Sequence, residues 1–248
     1  MQPNHQAWGQ KQMPLSRTAV QELYTTGIDR YRLFIGAFRA PQGIQALLQR
    51  ADLLHSGLRV LDAGCGFGVV TFAFLDALRQ RSLDYRSIDG FDLTPAMLAR
   101  FQKTLEARGL TRVQLRRADV LSLEDLPSTW ANYDLILSAS MLEYLPKRDL
   151  PRALRGLRAR QTPGGRILVL ITRKTPETRV LIAWWWRAER YTKHELLRAF
   201  KEAGYEGPVF HRFPLRYAWL NRATYAVEAR VAVDSHNGAD ESAVPSPE

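Results

Sequence analysis

The run VLDAGCGFGVV, Val60 to Val70, constrains this chain more than any other stretch. Small and apolar residues lead into three glycines at alternate positions, and a further apolar run follows that can start a helix. A strand–loop–helix junction of this kind brings backbone close to a ligand, and the pattern limits which one. A nucleoside-triphosphate loop needs Gly-Lys-Ser/Thr to reach phosphates and Mg²⁺, yet Gly68 is followed by Val69 and Val70. A dinucleotide loop sets its third glycine three residues after the second, and that position is Val69. The spacing is instead Gly64, Gly66, Gly68, with Asp62 two residues ahead. Beside a pyrophosphate that carboxylate is repulsive; beside a cation it is favourable.

The rest of the chain alternates between strand and helix patterns. LRVLD reads as the first strand, residues 68–80 as a helix, and SIDGFD as the second strand. Thr94-Pro95 is an N-cap followed by proline at the first helical position, and Gly109 is a stop. RVQLRRAD and YDLILSAS are the third and fourth strands, a helix spans about Asp149 to Arg160, and Pro163-Gly164-Gly165 turns the chain into RILVLIT. Thr192 and Glu195 form a capping box. PVFHRF and TYAVEARVA are the last two strands, with no helix expected in the intervening PLRYAWLNRA. Such alternation implies an α/β fold: a Rossmann-like, mostly parallel sheet of seven strands, helices on both faces, and one antiparallel strand near the C-terminus.

One domain is expected over residues 18–233. Residues 18–57 form an N-terminal helical cap. Thr18 and Gln21 open it, with Val20, Leu23, Tyr24, Tyr31 and Phe34 at helical spacing, then Ile44, Leu47 and Leu48 after Pro41. Residues 173–191 read as a lid insertion after the fifth strand. Residues 1–17 read as a flexible start, and 234–248 as a disordered acidic tail. The 248-residue chain has one cysteine, Cys65, so no internal disulfide, and no signal-peptide or membrane-spanning run. A cytoplasmic location is expected, with peripheral membrane contact as an option. The net charge is +10; the tail's four acids leave 21 acidic residues against all 35 basic ones in residues 1–233. That excess suits RNA, an anionic surface or an acidic ligand, or simply an arginine-rich solvated surface.

The segment Asp62-x-Gly64-x-Gly66-x-Gly68 resembles motif I of the class I S-adenosylmethionine-dependent methyltransferases, position by position. S-adenosyl-L-methionine is then the implied cofactor, with no metal. GFDLTPAML resembles the family's second-strand end, which makes Asp92, with Leu93 beside it, the ribose-binding acid. Asp92 lies 30 residues after Asp62, against about 20 in the dinucleotide fingerprint; the longer loop RQRSLDYRS accounts for the excess. Asp89 is the alternative, but it falls inside the strand. RRADVLSL resembles the adenine-binding segment, which assigns Asp119 and the Val120 amide. YDLILSASMLEYLP resembles the fourth-strand motif that borders cofactor and acceptor, which adds Ser138. Cys65 joins the cofactor set from within the glycine loop.

The acceptor is less constrained. The Asn/Asp-Pro-Pro-Tyr/Phe run that binds planar amino groups in base-modifying relatives is missing after the fourth strand. The expected acceptor is small and hydrophobic or aromatic, lipid-like molecules included. Tyr24, Tyr31, Trp184, Trp185 and Trp186 are the candidates to contact it, because aromatic segments before strand one and after strand five roof the pocket in small-molecule members. Adjacent tryptophans on a helix point in three directions. Methyl transfer is an in-line displacement in which positioning does much of the work; Glu143, Tyr144 and His194 are the candidates to orient or deprotonate the acceptor. His211 reads as a buried strand residue. Two alternatives stand beside this reading. One is an RNA methyltransferase that uses Arg152, Arg155 and Arg158, three residues apart on a helix. The other is a non-catalytic protein that binds the same cofactor.

Overall fold

The computed structural model describes residues 39–178 and 188–233. The expectations for the flexible start, Thr18 and Gln21, Tyr24, Tyr31, Trp184, Trp185, Trp186 and the acidic tail lie outside the described residues.

The elements run α1 (Ala40–Arg50), β1 (Leu58–Ala63), α2 (Val69–Gln80), β2 (Tyr85–Asp92), α3 (Pro95–Ala107), β3 (Val113–Arg117) and β4 (Tyr133–Ala139). Then follow α4 (Leu150–Arg158), β5 (Gln161–Thr172), α5 (Lys193–Glu202), β6 (Glu206–His211), the one-turn α6 (Leu220–Ala223) and β7 (Thr224–Arg230). The seven strands form one sheet in the order β3-β2-β1-β4-β5-β7-β6. β1 pairs in parallel with β2 and β4, and β7 runs antiparallel to both β5 and β6. The expected single reversed strand is therefore β7.

β1 and β4 are buried along nearly their whole length, because helices cover both faces of a parallel sheet. On one face α1, α2 and α3 pack through Leu47, Leu48, Phe74, Leu78 and Phe101. On the other, α4 and α5 pack through Leu154, Leu157, Leu196 and Phe200. α1 buries Ile44, Leu47 and Leu48 together, the face that their spacing implies. The order reverses between β1 and β4, which creates the crevice at the strands' carboxyl ends where open α/β sheets bind ligands.

Three local expectations need correction. Pro163-Gly164-Gly165 is not a turn before β5; it lies inside the strand, where the pairing with β4 shifts register. Gly164 takes φ 75° and Gly165 has no room for a side chain, since a Cβ would lie 2.8 Å from the Thr162 carbonyl oxygen. Glycines there let the strand kink and continue. The PLRYAWLNRA link contains α6 as well as a 3-10 turn at Leu215–Tyr217. Thr94 precedes α3 in extended conformation but makes no side-chain cap, because its hydroxyl bonds Asp92 instead. At Thr192 both bonds of the capping box form.

Candidate active site

Asp62 sits near the carboxyl end of β1, 1% exposed. Its Oδ2 accepts a 2.6 Å hydrogen bond from the Thr71 hydroxyl on α2, while Oδ1 has no hydrogen-bond partner among the described residues. Burial raises its pKa to about 7; the Thr71 hydroxyl opposes that rise and the nearby Asp92 charge adds to it. An uncompensated buried carboxylate oxygen is costly, and a cation or a donor brought to Oδ1 would remove that cost.

The loop that follows is built on left-handed backbone. Gly64, Gly66 and Gly68 have φ of 75°, 53° and 92°, a region that penalises side chains. Their surroundings differ. A Cβ on Gly64 would lie 2.4 Å from Met141, and one on Gly68 would lie 2.3 Å from the Phe101 ring. A Cβ on Gly66 would meet nothing within 4 Å among the described residues. Two glycines are required by packing, and the middle one faces open space.

Asp92, at the end of β2, ties the loop down. Its Oδ2 accepts from the Gly66 N–H at 2.9 Å and its Oδ1 from the Thr94 N–H at 2.8 Å. Burial raises its pKa and the Thr94 and Gly66 amides pull it back. A carboxylate has about four lone-pair directions, and the Thr94 hydroxyl takes a further one beside these two amides. Leu93 is half-buried beside it. Asp89 serves the sheet instead: it accepts from the Tyr133 hydroxyl at 2.8 Å and from Arg59 at 3.4 Å.

The other candidates fall in three places. The Asp119 carboxylate accepts the Leu121 N–H at 2.9 Å, and the Val120 side chain is buried in the core. Ser138, on β4, is 2% exposed and its hydroxyl has no hydrogen-bond partner among the described residues. Cys65 sends its N–H to the Phe91 carbonyl, as Gly64 does; its sulfur packs at β2, 3.2 Å from where a Gly90 Cβ would lie. Burial pushes the thiol pKa well up, which keeps it protonated and unreactive.

Beyond β4, Glu143 is 4% exposed. Its two carboxylate oxygens accept from the Thr172 hydroxyl at 2.8 Å and the Thr172 N–H at 3.3 Å. Its own carbonyl accepts the Glu189 N–H at 2.7 Å. Burial raises its pKa to about 7, with both Thr172 donors opposing. Glu143 thus joins the ends of β4 and β5 to the strand-like arm that returns at Tyr191. Tyr144 is half-buried in the same 3-10 turn. His194 is exposed on the first turn of α5. His211 bonds Glu228 at 2.6 Å, beside Arg166, and so belongs to the β5–β7–β6 edge. Arg152 and Arg155 donate to the Leu121 and Glu202 carbonyls, so those two arginines of the α4 stripe are bound to their own chain.

Sequence reading had not singled out Thr71, Met141, Phe101 or Thr172. Each is an ordinary residue whose importance comes from what another element places against it. The one available signal was their position: Thr71 is on the first turn of the helix after the loop, Met141 follows the end of β4, and Thr172 ends β5.

A parallel α/β sheet with a glycine loop at the β1/β4 crevice and acids at the ends of β1 and β2 defines a nucleoside-cofactor-binding protein. The residues also fit one cofactor better than a phosphate-bearing one: Asp62 has an orphaned buried oxygen, Ser138 an orphaned hydroxyl, and Gly66 an open cradle. Residues 60–165 match a family model described as a methyltransferase domain. Over 147 residues the chain is 31% identical to a carboxy-S-adenosyl-L-methionine synthase of Chromohalobacter salexigens, covering 59% of this chain and 50% of that protein. Over 113 residues it is 32% identical to a chloroplastic 2-methyl-6-phytyl-1,4-hydroquinone methyltransferase of Oryza sativa subsp. japonica, covering 45% and 29%. The chain thus spans half or less of the length of these curated relatives. The magnesium protoporphyrin IX methyltransferase of Synechocystis PCC 6803 with bound S-adenosylhomocysteine superposes with a TM-score of 0.65 at 18% identity, covering 88% of this chain and 100% of that one. Residues 60–165 thus match a methyltransferase domain, and the relatives and the shared fold support a class I S-adenosylmethionine-dependent methyltransferase with S-adenosyl-L-methionine as its cofactor.

Proposed function

We propose that this protein transfers a methyl group from S-adenosyl-L-methionine to a small, hydrophobic or aromatic acceptor. The observation that carries the reading is the contrast within the glycine loop. Gly64 and Gly68 are closed by Met141 and Phe101, while Gly66, held by Asp92, opens onto space that no described residue fills.

In this reading the cofactor, when bound, supplies an electrophilic methyl on a sulfonium. The chain's own residues then bind and orient. Asp62 offers its unpartnered Oδ1 to a positive group, and the loss of that charge–charge attraction would be felt strongly in so buried a place. Asp92 offers its carboxylate to the ribose hydroxyls, in exchange for the Thr94 hydroxyl that it holds now, and Asp119 with the Val120 amide faces the adenine edge. Glu143 holds the ends of β4 and β5 at the acceptor side, and Tyr144 lies next to it. No base is assigned: both Glu143 oxygens are occupied by Thr172, and positioning supplies much of such a barrier reduction.

Support for a small acceptor comes from the relatives, whose names give a hydroquinone and a porphyrin as substrates. Tyr24, Tyr31, Trp184, Trp185 and Trp186 are proposed on sequence grounds to contact the acceptor. No helix among the described residues is long and apolar enough to cross a membrane. Incubation with methyl-labelled S-adenosylmethionine and an extract of small metabolites tests the reading. Label should move to an organic-extractable product. Tight cofactor binding with no transfer to any fraction would sink it in favour of a non-catalytic role, and transfer to RNA would sink the acceptor class.

A further inference from the structure

The link between β6 and β7 turns an apolar side outward. It leaves the carboxyl end of β6, which runs parallel to β5 because both pair antiparallel with β7. The carboxyl ends of the parallel strands form the edge that carries the cofactor crevice, so the link shares that edge. Its backbone stays helical from Leu215 to Ala223: a 3-10 turn spans Leu215–Tyr217, Ala218 and Trp219 keep right-handed helical angles, and α6 follows. Asn221 pins it, accepting from the Phe213 N–H at 2.9 Å and donating to the Phe213 carbonyl at 3.2 Å. The Arg173 N–H, just past β5, donates to the Ala223 carbonyl at 2.8 Å. Tyr217 and Leu220 are buried against α1, where a Cβ on Gly43 would lie 2.3 Å from Leu220.

The other side of the same turns is Leu215, Ala218, Trp219 and Arg222, at i, i+3, i+4 and i+7, the spacing of one helical face. Leu215 is 93% exposed and Trp219 39%, and Ala218 and Arg222 are exposed too. Single exposed apolar residues are ordinary, but a leucine and a tryptophan one turn apart on a pinned segment make a surface. Arg212, Arg216 and Arg222 rim it, all exposed, and no acidic residue occurs from Arg212 to Ala223. Glu177 lies close enough to Arg222 and Arg173 to feel their charges, and Lys174 is exposed next to Arg173. Residues 1–38 hold four basic and two acidic residues, and residues 179–187 two basic and none acidic, so neither stretch adds net negative charge. Apolar side chains among arginines match the boundary between anionic headgroups and acyl chains, and tryptophan favours that depth. A second copy of the chain would set arginine against arginine, and RNA would leave the leucine without an apolar partner.

We propose that Leu215 and Trp219, with Arg212, Arg216 and Arg222 around them, dock this edge of the sheet on an anionic lipid bilayer. The docking does not depend on the methyltransferase reading, and its test needs no methyl transfer. The full chain is sedimented with vesicles of equal parts phosphatidylglycerol and phosphatidylcholine, and with vesicles of phosphatidylcholine alone. Binding is expected to the first and much less to the second, and it should weaken as salt screens the arginines. Leu215→Ser should weaken it about tenfold or more, since the leucine no longer enters the bilayer. At so exposed a position the melting temperature should not change. Arg212→Gln and Arg216→Gln should each weaken it about fivefold, the factor that one basic residue contributes near a charged bilayer. No binding to either vesicle would overturn the proposal, as would equal binding to both. Binding that all three variants leave unchanged would overturn it by placing the contact elsewhere on the chain. Binding to polyuridylate but not to vesicles, lost in Arg216→Gln, would overturn it in favour of RNA. A dimer without vesicle binding, dissociated by Leu215→Ser, would overturn it in favour of a second copy.

Discussion

Gly66→Ala and Gly68→Ala are the same chemical change two residues apart, and they should fail in opposite ways. Both residues hold positive φ, 53° and 92°, so each alanine carries about 1–2 kcal/mol of left-handed backbone strain. At Gly68 the new Cβ would also lie 2.3 Å from the Phe101 ring, which is fully buried and has nowhere to swing. Overpacking of that kind adds about 1–3 kcal/mol, for a total of about 2–5 kcal/mol. In a domain of this size each kcal/mol lowers the melting temperature by about 2–4 °C. Gly68→Ala should therefore lose roughly 4–20 °C and Gly66→Ala roughly 2–8 °C. Cofactor affinity should show the reverse. The Gly66 Cβ meets no atom of the described residues within 4 Å, so it projects into the space assigned to the ligand. If displacing the ligand costs the same ~1–3 kcal/mol, binding weakens about 5- to 150-fold, and Gly66→Val should abolish it. Thermal melts and titration with S-adenosylhomocysteine on the purified variants measure both quantities. A Gly66→Ala protein that binds as tightly as wild type would refute the reasoning, because the open space would then not be the ligand's.

Asp92→Ala should weaken S-adenosylhomocysteine binding by about 1.5–3 kcal/mol, whereas Asp89→Ala should lower the melting temperature, by stranding Tyr133, with affinity nearly unchanged; the two titrations decide. Asp62 and Glu143 both have folded-state pKa values raised to about 7. The folded protein therefore holds more protons than the unfolded chain from about pH 4 to about pH 7, and stability should fall across that window as pH rises; melts from pH 4 to 8 check the sign. A cationic cofactor favours ionised Asp62, so S-adenosylmethionine affinity should rise with pH through about 7, and Asp62→Asn should flatten that dependence in calorimetry. Thr71→Val removes a donor to Asp62 Oδ2 and should move the same profile to higher pH. Alanine at Trp184, Trp185 or Trp186 should raise the acceptor's Michaelis constant in at least one case while cofactor affinity holds.

The glycine loop, the mostly parallel pairing and the acids at the ends of β1 and β2 were legible because each is carried by residues close together in the chain. Gly-x-Gly-x-Gly excludes its competitors within a few positions, and strand–helix alternation implies parallel pairing. Partners that meet only in space were not legible. Thr71 could have been any small residue on α2 until β1 placed the Asp62 carboxylate against it, and Glu143 is held by Thr172 from a different strand. Pro163-Gly164-Gly165 shows another limit: glycine and proline mark a kink inside a strand as readily as a turn before one. The acceptor side is the least legible part, since segments outside the sheet build it and no local rule sets their chemistry.

The central claim is that the β1/β4 crevice holds S-adenosylmethionine and not a dinucleotide. Calorimetric titration of the wild-type chain with S-adenosylhomocysteine, and in parallel with NAD, tests it most directly. One S-adenosylhomocysteine per chain and no detectable NAD binding is the expected result; tight NAD binding, or no heat from S-adenosylhomocysteine, would contradict the account.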